Sequence, residues 1–222
     1  MKMRKLIAFF YPDRCPYCGA VVEPDAVACD RCRDNYLSCR TVILRGAGGC
    51  RCVSSFEYTG KVRRAIIHMK FHHHPQFARQ LALLMVRDIR ICYRSVPLDA
   101  VTYVPMYIKD EKRRGYNQSK LLAKTISEEL GIPMLDLLIK VKQTRQQHKL
   151  SYRERKKNLR NAFCLTDPAA TEGRTILLID DITTSGATLA ECIRTLTTAH
   201  PALICCAAIA NAGAPVRDIP RL

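Results

Sequence analysis

The sequence has no tryptophan, few aromatic side chains and few acidic residues for its number of basic ones. Aromatic residues make up only 7% of the chain, so its core must be mostly aliphatic. Hydrophobic residues still make up 48%, which excludes a largely disordered protein. Lys and Arg total 36 against 20 Asp and Glu, a net charge of +16. The 222 residues suffice for one substantial domain and a small appendage.

Long apolar runs are also missing. Runs such as Leu6–Tyr11 and Leu81–Val86 hold six residues, whereas a helix that spans a membrane needs roughly 20. The apolar stretch near the start is shorter than the roughly 7–15 residues of a signal-peptide core, and no small-residue cleavage site follows it. We therefore expect no membrane span and a cytoplasmic location.

Cysteines are abundant at one end of the chain, since seven of the 12 fall within the first 52 residues. Two Cys-x-x-Cys pairs, Cys15 with Cys18 and Cys29 with Cys32, are separated by ten residues. Each pair can offer two thiolates to one tetrahedral ion, and four thiolates favour a single structural zinc with no open position for chemistry. Redox-active dithiols and a metal-free arrangement are the alternatives. Metal binding would supply the folding energy of so small a module.

The sequence changes character near residue 53. Residues 1–52 carry the cysteine pairs and little periodicity, whereas residues 53–222 alternate strand and helix patterns. The later patterns predict strands at Asp99–Val104, Thr175–Ile179 and Leu203–Ile209, and helices at Phe77–Tyr93, from Asn117 to Gly131, at Ser151–Arg160 and at Ala187–Thr198. Such alternation predicts an α/β domain with a parallel sheet covered on both faces, joined to an N-terminal zinc-ribbon module.

The segment Ile176–Thr188 carries the strongest binding signal. Its apolar start predicts a central strand, and Asp180 and Asp181 follow at the carboxyl end, where α/β sheets place their ligands. A hydroxyl-rich loop then leads into a helix, and its backbone amides would converge on a phosphate. A P-loop is disfavoured because the loop has no lysine. The predicted phosphate-binding residues are Thr183, Thr184, Ser185, Gly186, Ala187 and Thr188.

The two carboxylates need a separate explanation, because they would repel a phosphate at contact distance. One sugar away, they can accept hydrogen bonds from neighbouring ribose hydroxyls or hold Mg²⁺. A strand–turn–helix in which the acids merely cap the helix is the structural alternative. Two acids and four hydroxyl residues exceed what capping needs.

Two basic stretches supply 12 of the 16 net charges. Residues 109–124 carry a net +4 and residues 140–160 a net +8. Localised positive charge indicates a polyanion, either a pyrophosphate, which needs one or two basic groups, or single-stranded DNA, which needs many. A solvated helix face is the alternative. The candidate nucleic-acid or pyrophosphate contacts are Arg113, Arg114, Asn117, Gln118, Lys149, Arg153 and Arg155.

These motifs resemble known families. Ile176–Thr188 resembles the 5-phosphoribosyl 1-diphosphate (PRPP) motif of type I phosphoribosyltransferases, which implies that Asp180 and Asp181 hold the ribose diol and that residues 183–188 hold its 5′-phosphate. With the cysteine module, Lys70-Phe71 and the Arg113–Ser119 segment, nearly the whole chain resembles the ComF (ComFC) family of competence proteins. The resemblance implies a phosphoribosyltransferase-like fold and a role in natural transformation, with single-stranded DNA, a DNA-uptake helicase and other transformation proteins as partners.

The chain departs from these families at two places. Val104-Pro105-Met106 lies where transferases of this fold bind pyrophosphate, but the usual small glycine-rich loop is missing and the bulky residues Tyr107 and Ile108 follow instead. We therefore expect a ribose 5-phosphate site, with a Mg²⁺-dependent phosphoribosyltransferase of unknown acceptor, or a pure binding module, as alternatives. Family members often carry a second set of four cysteines, of which only three remain here, namely Cys39, Cys50 and Cys52.

Overall fold

The computed structural model describes residues 13–23, 26–37, 40–71, 75–144 and 152–213. The strands of this part are β1 (Arg40–Ala47), β2 (Cys50–Glu57), β3 (Ala100–Tyr103), β4 (Leu138–Lys140), β5 (Phe163–Leu165), β6 (Thr175–Thr183) and β7 (Leu203–Asn211). Its helices are α1 (Asp30–Leu37), α2 (Gly60–Phe71), α3 (Phe77–Cys92), α4 (Ile108–Arg114), α5 (Gln118–Leu130), α6 (Tyr152–Leu159) and α7 (Ala187–Thr197).

Five strands form one sheet in the order β1-β2-β7-β6-β3, and β4 pairs with β5 in a small antiparallel sheet. Strands β2, β7, β6 and β3 run parallel, and β1 pairs with β2 in the antiparallel sense at the edge. Strand β6 lies between β7 and β3, as its apolar sequence predicts for a strand with no exposed face. The carboxyl ends of β3, β6 and β7 therefore lie along one edge of the sheet.

Helices cover both faces of this sheet. Side chains alternate along β6, so that Leu177 and Ile179 pack with α2, α3 and α5, while Ile176 and Leu178 pack with α7 and the β4–β5 sheet. All four side chains are fully buried, and each such aliphatic burial contributes about 1.5–3 kcal/mol. The predicted α/β fold with a covered parallel sheet is confirmed.

The predicted helices are also observed, and α5 has an identifiable cap at each end. The side chain of Asn117 accepts hydrogen bonds from the amides of Ser119 and Lys120 at the start of α5, and Gly131 ends this helix with a φ of 70°. Helix α3 ends at Cys92, one residue before the predicted end. None of the helices in the described ranges combines the length and the apolar character that a bilayer span requires.

The hairpin β1–β2 was not predicted, because glycines and cysteines interrupt its apolar pattern. Strand β2 crosses the predicted division at residues 52 and 53 and pairs with β7, with Val53 opposite Ala207. The division itself stays a prediction. The cysteine module also shares the main core, since Cys15 and Tyr17 are buried in one cluster with residues of α2 and α3.

Candidate functional site

The carboxyl edge of the sheet brings together three segments that are distant in sequence. We use the name carboxyl edge for residues 104–119, which follow β3, residues 180–188 at the end of β6, and the Lys70-Phe71 pair at the end of α2. Strand β6 is longer than predicted, since it continues through Asp180 and Asp181 to Thr183. The two acids thus lie on a rigid strand, and the loop begins only after Thr183.

Asp180 is turned inward at this edge. It is only 8% exposed, and its Oδ1 atom accepts hydrogen bonds from Ser119 Oγ at 3.1 Å and from the amide of Asp181 at 2.8 Å. Burial, together with the neighbouring charge of Asp181, raises the pKa of Asp180 to about 7. This carboxyl group therefore carries only about half of its full negative charge at pH 7.

Asp181 has a different environment. Its Oδ2 atom lies 2.8 Å from Nζ of Lys70, and both side chains remain partly accessible to solvent. Lys70 is not among the site residues predicted from the sequence, because 110 intervening positions separate it from Asp181 and only the fold joins them. The ion pair offsets the charge of Asp181, so the negative field that would repel a phosphate at this edge is weakened.

The loop after β6 leaves hydrogen-bond donors open. In the part of the chain that the structure describes, the amides of Ser185 and Gly186 donate to no protein group. Gly186 has a φ of 71° and directly precedes α7, a left-handed conformation that glycine adopts without strain. The hydroxyl of Ser185 accepts from the amide of Ala187 at 3.4 Å. Open amides at the start of an 11-residue helix are suited to binding an anion.

The segment after β3 is fastened to this edge by its own side chains. Asn117, which is 3% exposed, donates from Nδ2 to the carbonyl oxygen of Val104 at 3.0 Å. The hydroxyl of Tyr116 donates to the carbonyl oxygen of Met69, so the segment is held against the end of α2. The sequence Arg113–Ser119 is thus explained in part by packing, and a ligand contact for Asn117 stays a prediction.

The two arginines of this segment differ in exposure. Arg113 is exposed, and its Nη2 atom lies 2.8 Å from Oδ1 of Asp110. Arg114 lies over the ring of Phe71, with Cζ 5.1 Å from the ring centroid. Its Nη1 atom donates to Oε1 of Gln118 at 2.7 Å. Gln118 is buried, so we expect it to position Arg114, and a direct ligand contact for Gln118 stays a prediction.

The second basic stretch is described only in part. Helix α6 packs against α7, the helix that follows the loop. Lys149 lies outside the described residues, and of Arg153 and Arg155 only the backbone is described. Lys140 lies mostly buried on β4, and Nζ donates to Thr144 Oγ1 at 2.8 Å. Burial lowers the pKa of Lys140, an effect that the nearby Asp110 and Asp180 oppose.

The four predicted metal ligands are brought together. The sulfur atoms of Cys15, Cys18, Cys29 and Cys32 all lie within 4.8 Å of one another, and the Sγ atoms of Cys18 and Cys29 are 3.6 Å apart. Four thiolates about 2.3 Å from one zinc ion have comparable mutual distances, so the set fits such an ion. A hydrogen bond from the amide of Ala20 is the main cause that lowers the pKa of Cys18 to about 7.

The remaining cysteines give no second cluster of this kind in the described residues. Cys52 is buried in the core on β2, where burial is expected for a small apolar residue. Cys50 is half-buried on the same strand, and burial raises the pKa of its thiol. Cys39 lies outside the described residues.

Comparison with known proteins gives two kinds of match. Residues 117–219 match the family model described as "Phosphoribosyl transferase domain", which covers the loop and the Asp180–Asp181 pair. Glutamine PRPP amidotransferase from B. subtilis is similar in structure, with a TM-score of 0.41 and 20% identity over 59% of this chain and 25% of that chain.

Relatives match over most of the chain. A protein named DNA utilization protein YhgH from Salmonella typhimurium is 32% identical over 181 residues, which are 80% of this chain and 74% of the relative. Competence protein F from Haemophilus influenzae is 32% identical over 182 residues, which are 80% of this chain and 75% of that protein.

Proposed function

Because the chain belongs to the ComF family of competence and DNA utilization proteins, we propose that it acts in DNA uptake by binding single-stranded DNA and a phosphopentose. The observation that carries the phosphopentose site is the pair of open amides at Ser185 and Gly186, beside the ion pair of Asp181 and Lys70. The relatives are named for competence and DNA utilization, which supports the link to DNA.

In this proposal, the loop and Asp181 bind different parts of the phosphopentose. The loop of residues 183–188 takes the 5′-phosphate through its amides and hydroxyls. Asp181, which is partly accessible, accepts hydrogen bonds from the pentose hydroxyls, while Asp180 stiffens the edge through Ser119. Lys70 lies beside Asp181, so its ammonium group can also contact an anionic ligand that binds at Asp181. If Mg²⁺ accompanies PRPP, Asp181 is the carboxylate available to hold it.

The strand of DNA would be bound by exposed cations at this edge and on the neighbouring helix α6. On α4, Lys109, Lys112 and Arg113 are exposed, six to ten residues after the end of β3. Lys157 and Arg160 are exposed at the end of α6, which packs on α7. Such side chains contact phosphates without reading sequence, so we expect binding that weakens steeply with salt.

Binding is favoured over turnover by the segment after β3. A transferase must also hold the leaving pyrophosphate, and this position carries the bulky Met106 and Tyr107, with Met106 Sδ 3.8 Å from Nη1 of Arg114. We therefore propose that the phosphopentose is held and not transferred. Release of pyrophosphate from PRPP by the full chain would show the opposite.

Calorimetric titration of the zinc-loaded full chain with ribose 5-phosphate, and with PRPP and Mg²⁺, tests the site. We expect saturable heat with the wild type and a loss of affinity of about 10- to 100-fold in Asp181→Asn, because one charged hydrogen-bond acceptor is worth about 1.5–3 kcal/mol. The matched control is Glu172→Gln, which removes an exposed charge before β6, at the opposite edge. No heat with either ligand, or equal losses in both variants, would contradict the proposal.

A further inference from the structure

We infer that Phe71, backed by Arg114, is a stacking platform for a nucleobase attached to the phosphopentose at the loop. This inference rests on the proposed phosphopentose site and names the rest of its ligand. The ligand is accordingly a nucleotide unit, either free or at the 5′ end of a single strand whose first sugar keeps a free hydroxyl.

The first observation is an aromatic ring that the fold leaves largely exposed to solvent. Phe71 is 61% exposed, the highest value among the large apolar side chains that the structure describes. A phenyl ring in water forgoes the stabilisation that burial gives. It ends α2, immediately after Lys70, and so lies at the carboxyl edge.

The second observation is that the ring is held in place. The guanidinium of Arg114 lies 5.1 Å from the ring centroid, and Arg114 is itself fixed by Gln118 and Met106. The carbonyl oxygen of Met69, two residues before Phe71, accepts the hydroxyl of Tyr116. With one side against Arg114 and most of its surface exposed, the ring offers a free face for stacking.

The third observation is the position of the ring relative to the loop. Asp181 pairs with Lys70, the neighbour of Phe71, at 2.8 Å, and Asp181 lies on β6, the strand that leads into the loop. A nucleotide carries its phosphate at C5′ and its base at C1′, on opposite sides of the sugar hydroxyls. With phosphate at the loop and sugar at Asp181, the base would stack on Phe71, the residue next to the ion-pair partner of Asp181. The flanking Arg113, Arg114 and Lys70 match the charge of a nucleotide.

The absence of tryptophan provides a direct test, since Phe71→Trp creates the sole indole of the chain. We expect uridine 5′-monophosphate to quench its emission, whereas ribose 5-phosphate, which has no base, leaves the emission nearly unchanged. A 5′-phosphorylated oligothymidylate whose first residue is uridine, and the same strand with an abasic ribose at that position, form the second pair, because the first sugar then keeps a 2′-hydroxyl for Asp181. Of the two ligands that carry a base, the one that quenches at lower concentration shows whether the base belongs to a free nucleotide or to a strand end. The control is Ile91→Trp, which is 49% exposed on α3 near the start of β3.

Affinity measurements keep the inference falsifiable whatever the fluorescence shows. Phe71→Ala should weaken nucleotide binding about 5- to 100-fold, the range for one base stacked on an aromatic ring, and should leave ribose 5-phosphate binding unchanged. Phe71→Tyr should restore it. If Phe71→Ala keeps the wild-type ratio of the two affinities, the platform is wrong while the phosphopentose site stands. If the wild type does not bind ribose 5-phosphate, the proposed function fails first.

Discussion

The cysteine cluster and the carboxyl edge both concentrate polar atoms, but the first turns them toward one another and the second leaves them open. The four sulfur atoms lie within 4.8 Å of each other, so an ion held there would have no free coordination position. At the carboxyl edge, the amides of Ser185 and Gly186 have no partner among the described groups. Sulfur atoms that all face one ion stabilise the fold, whereas backbone amides without a protein partner can bind a ligand.

Helix α2 connects these two regions. Near its first turn, Nζ of Lys61 lies 3.9 Å from Sγ of Cys32, and at its last turn Lys70 pairs with Asp181. The module is also tied to the core by Gln80, which donates to the carbonyl oxygen of Ala26 at 2.9 Å. The cysteine cluster and the carboxyl edge are therefore two ends of one packed unit. Substitutions at each end separately show how far the stability of the cluster and ligand binding at the edge are independent.

The largest effect is expected at the closed site. We propose that it holds one zinc ion, and Cys29→Ser should then reduce zinc to well below one ion per chain and lower the unfolding free energy by several kcal/mol. The reason is that apparent zinc affinities of structural sites, about 10–16 kcal/mol, appear as folding free energy. Metal analysis and chemical denaturation measure both quantities.

The matched control for this change is Cys164→Ser, which alters an exposed thiol on β5. It should leave zinc content and stability within about 0.5 kcal/mol of the wild type. A wild-type chain with no zinc, or a Cys29→Ser variant with full zinc content, would contradict the closed-site interpretation.

An intermediate effect is expected from Asp180, the buried member of the acid pair. Its pKa is raised to about 7, whereas an unfolded Asp titrates near 3.9. Between roughly pH 4 and 7 the folded state holds a proton that the unfolded state has lost, so this group makes the unfolding free energy fall as pH rises. Asp180→Asn removes that dependence. As pH rises from about 4 to 7, the unfolding free energy of the variant should therefore increase relative to that of the wild type by at most about 1.4 kcal/mol per pH unit.

Urea denaturation at pH 5 and pH 7 measures this gain, with Glu172→Gln as a control that has an exposed carboxyl. Above pH 7 the two curves should run in parallel. A constant difference between the Asp180→Asn variant and the wild type across the whole range would show that Asp180 is ionised throughout, and the distinction between a buried Asp180 and an open Asp181 would be lost.

The sequence predicts much of the fold because its central strands are short apolar runs with clear helix caps between them. Asn117 and Gly131 delimit α5 as predicted. Lys70 was not predicted, since its pairing with Asp181 depends on how α2 packs on the sheet. Nor does the sequence distinguish Asp180 from Asp181, two adjacent acids of which one is buried against Ser119. Local patterns specify elements, but contacts between elements decide which side chain meets a ligand.

The smallest effect is expected from a single exposed cation at the open edge. Arg113→Ala removes an exposed charge on α4, and Arg174→Ala removes one just before β6, at the opposite edge. Both variants lose the same charge, so a purely diffuse attraction of DNA to a basic protein predicts equal effects. A phosphate contact at the edge instead predicts that Arg113→Ala alone reduces the slope of log affinity against log salt by about 0.7. Fluorescence anisotropy with oligothymidylate at several salt concentrations measures the slope. Equal slopes in the two variants would mean that α4 does not contact the strand, and the open edge would then have to bind its phosphopentose without the adjoining DNA.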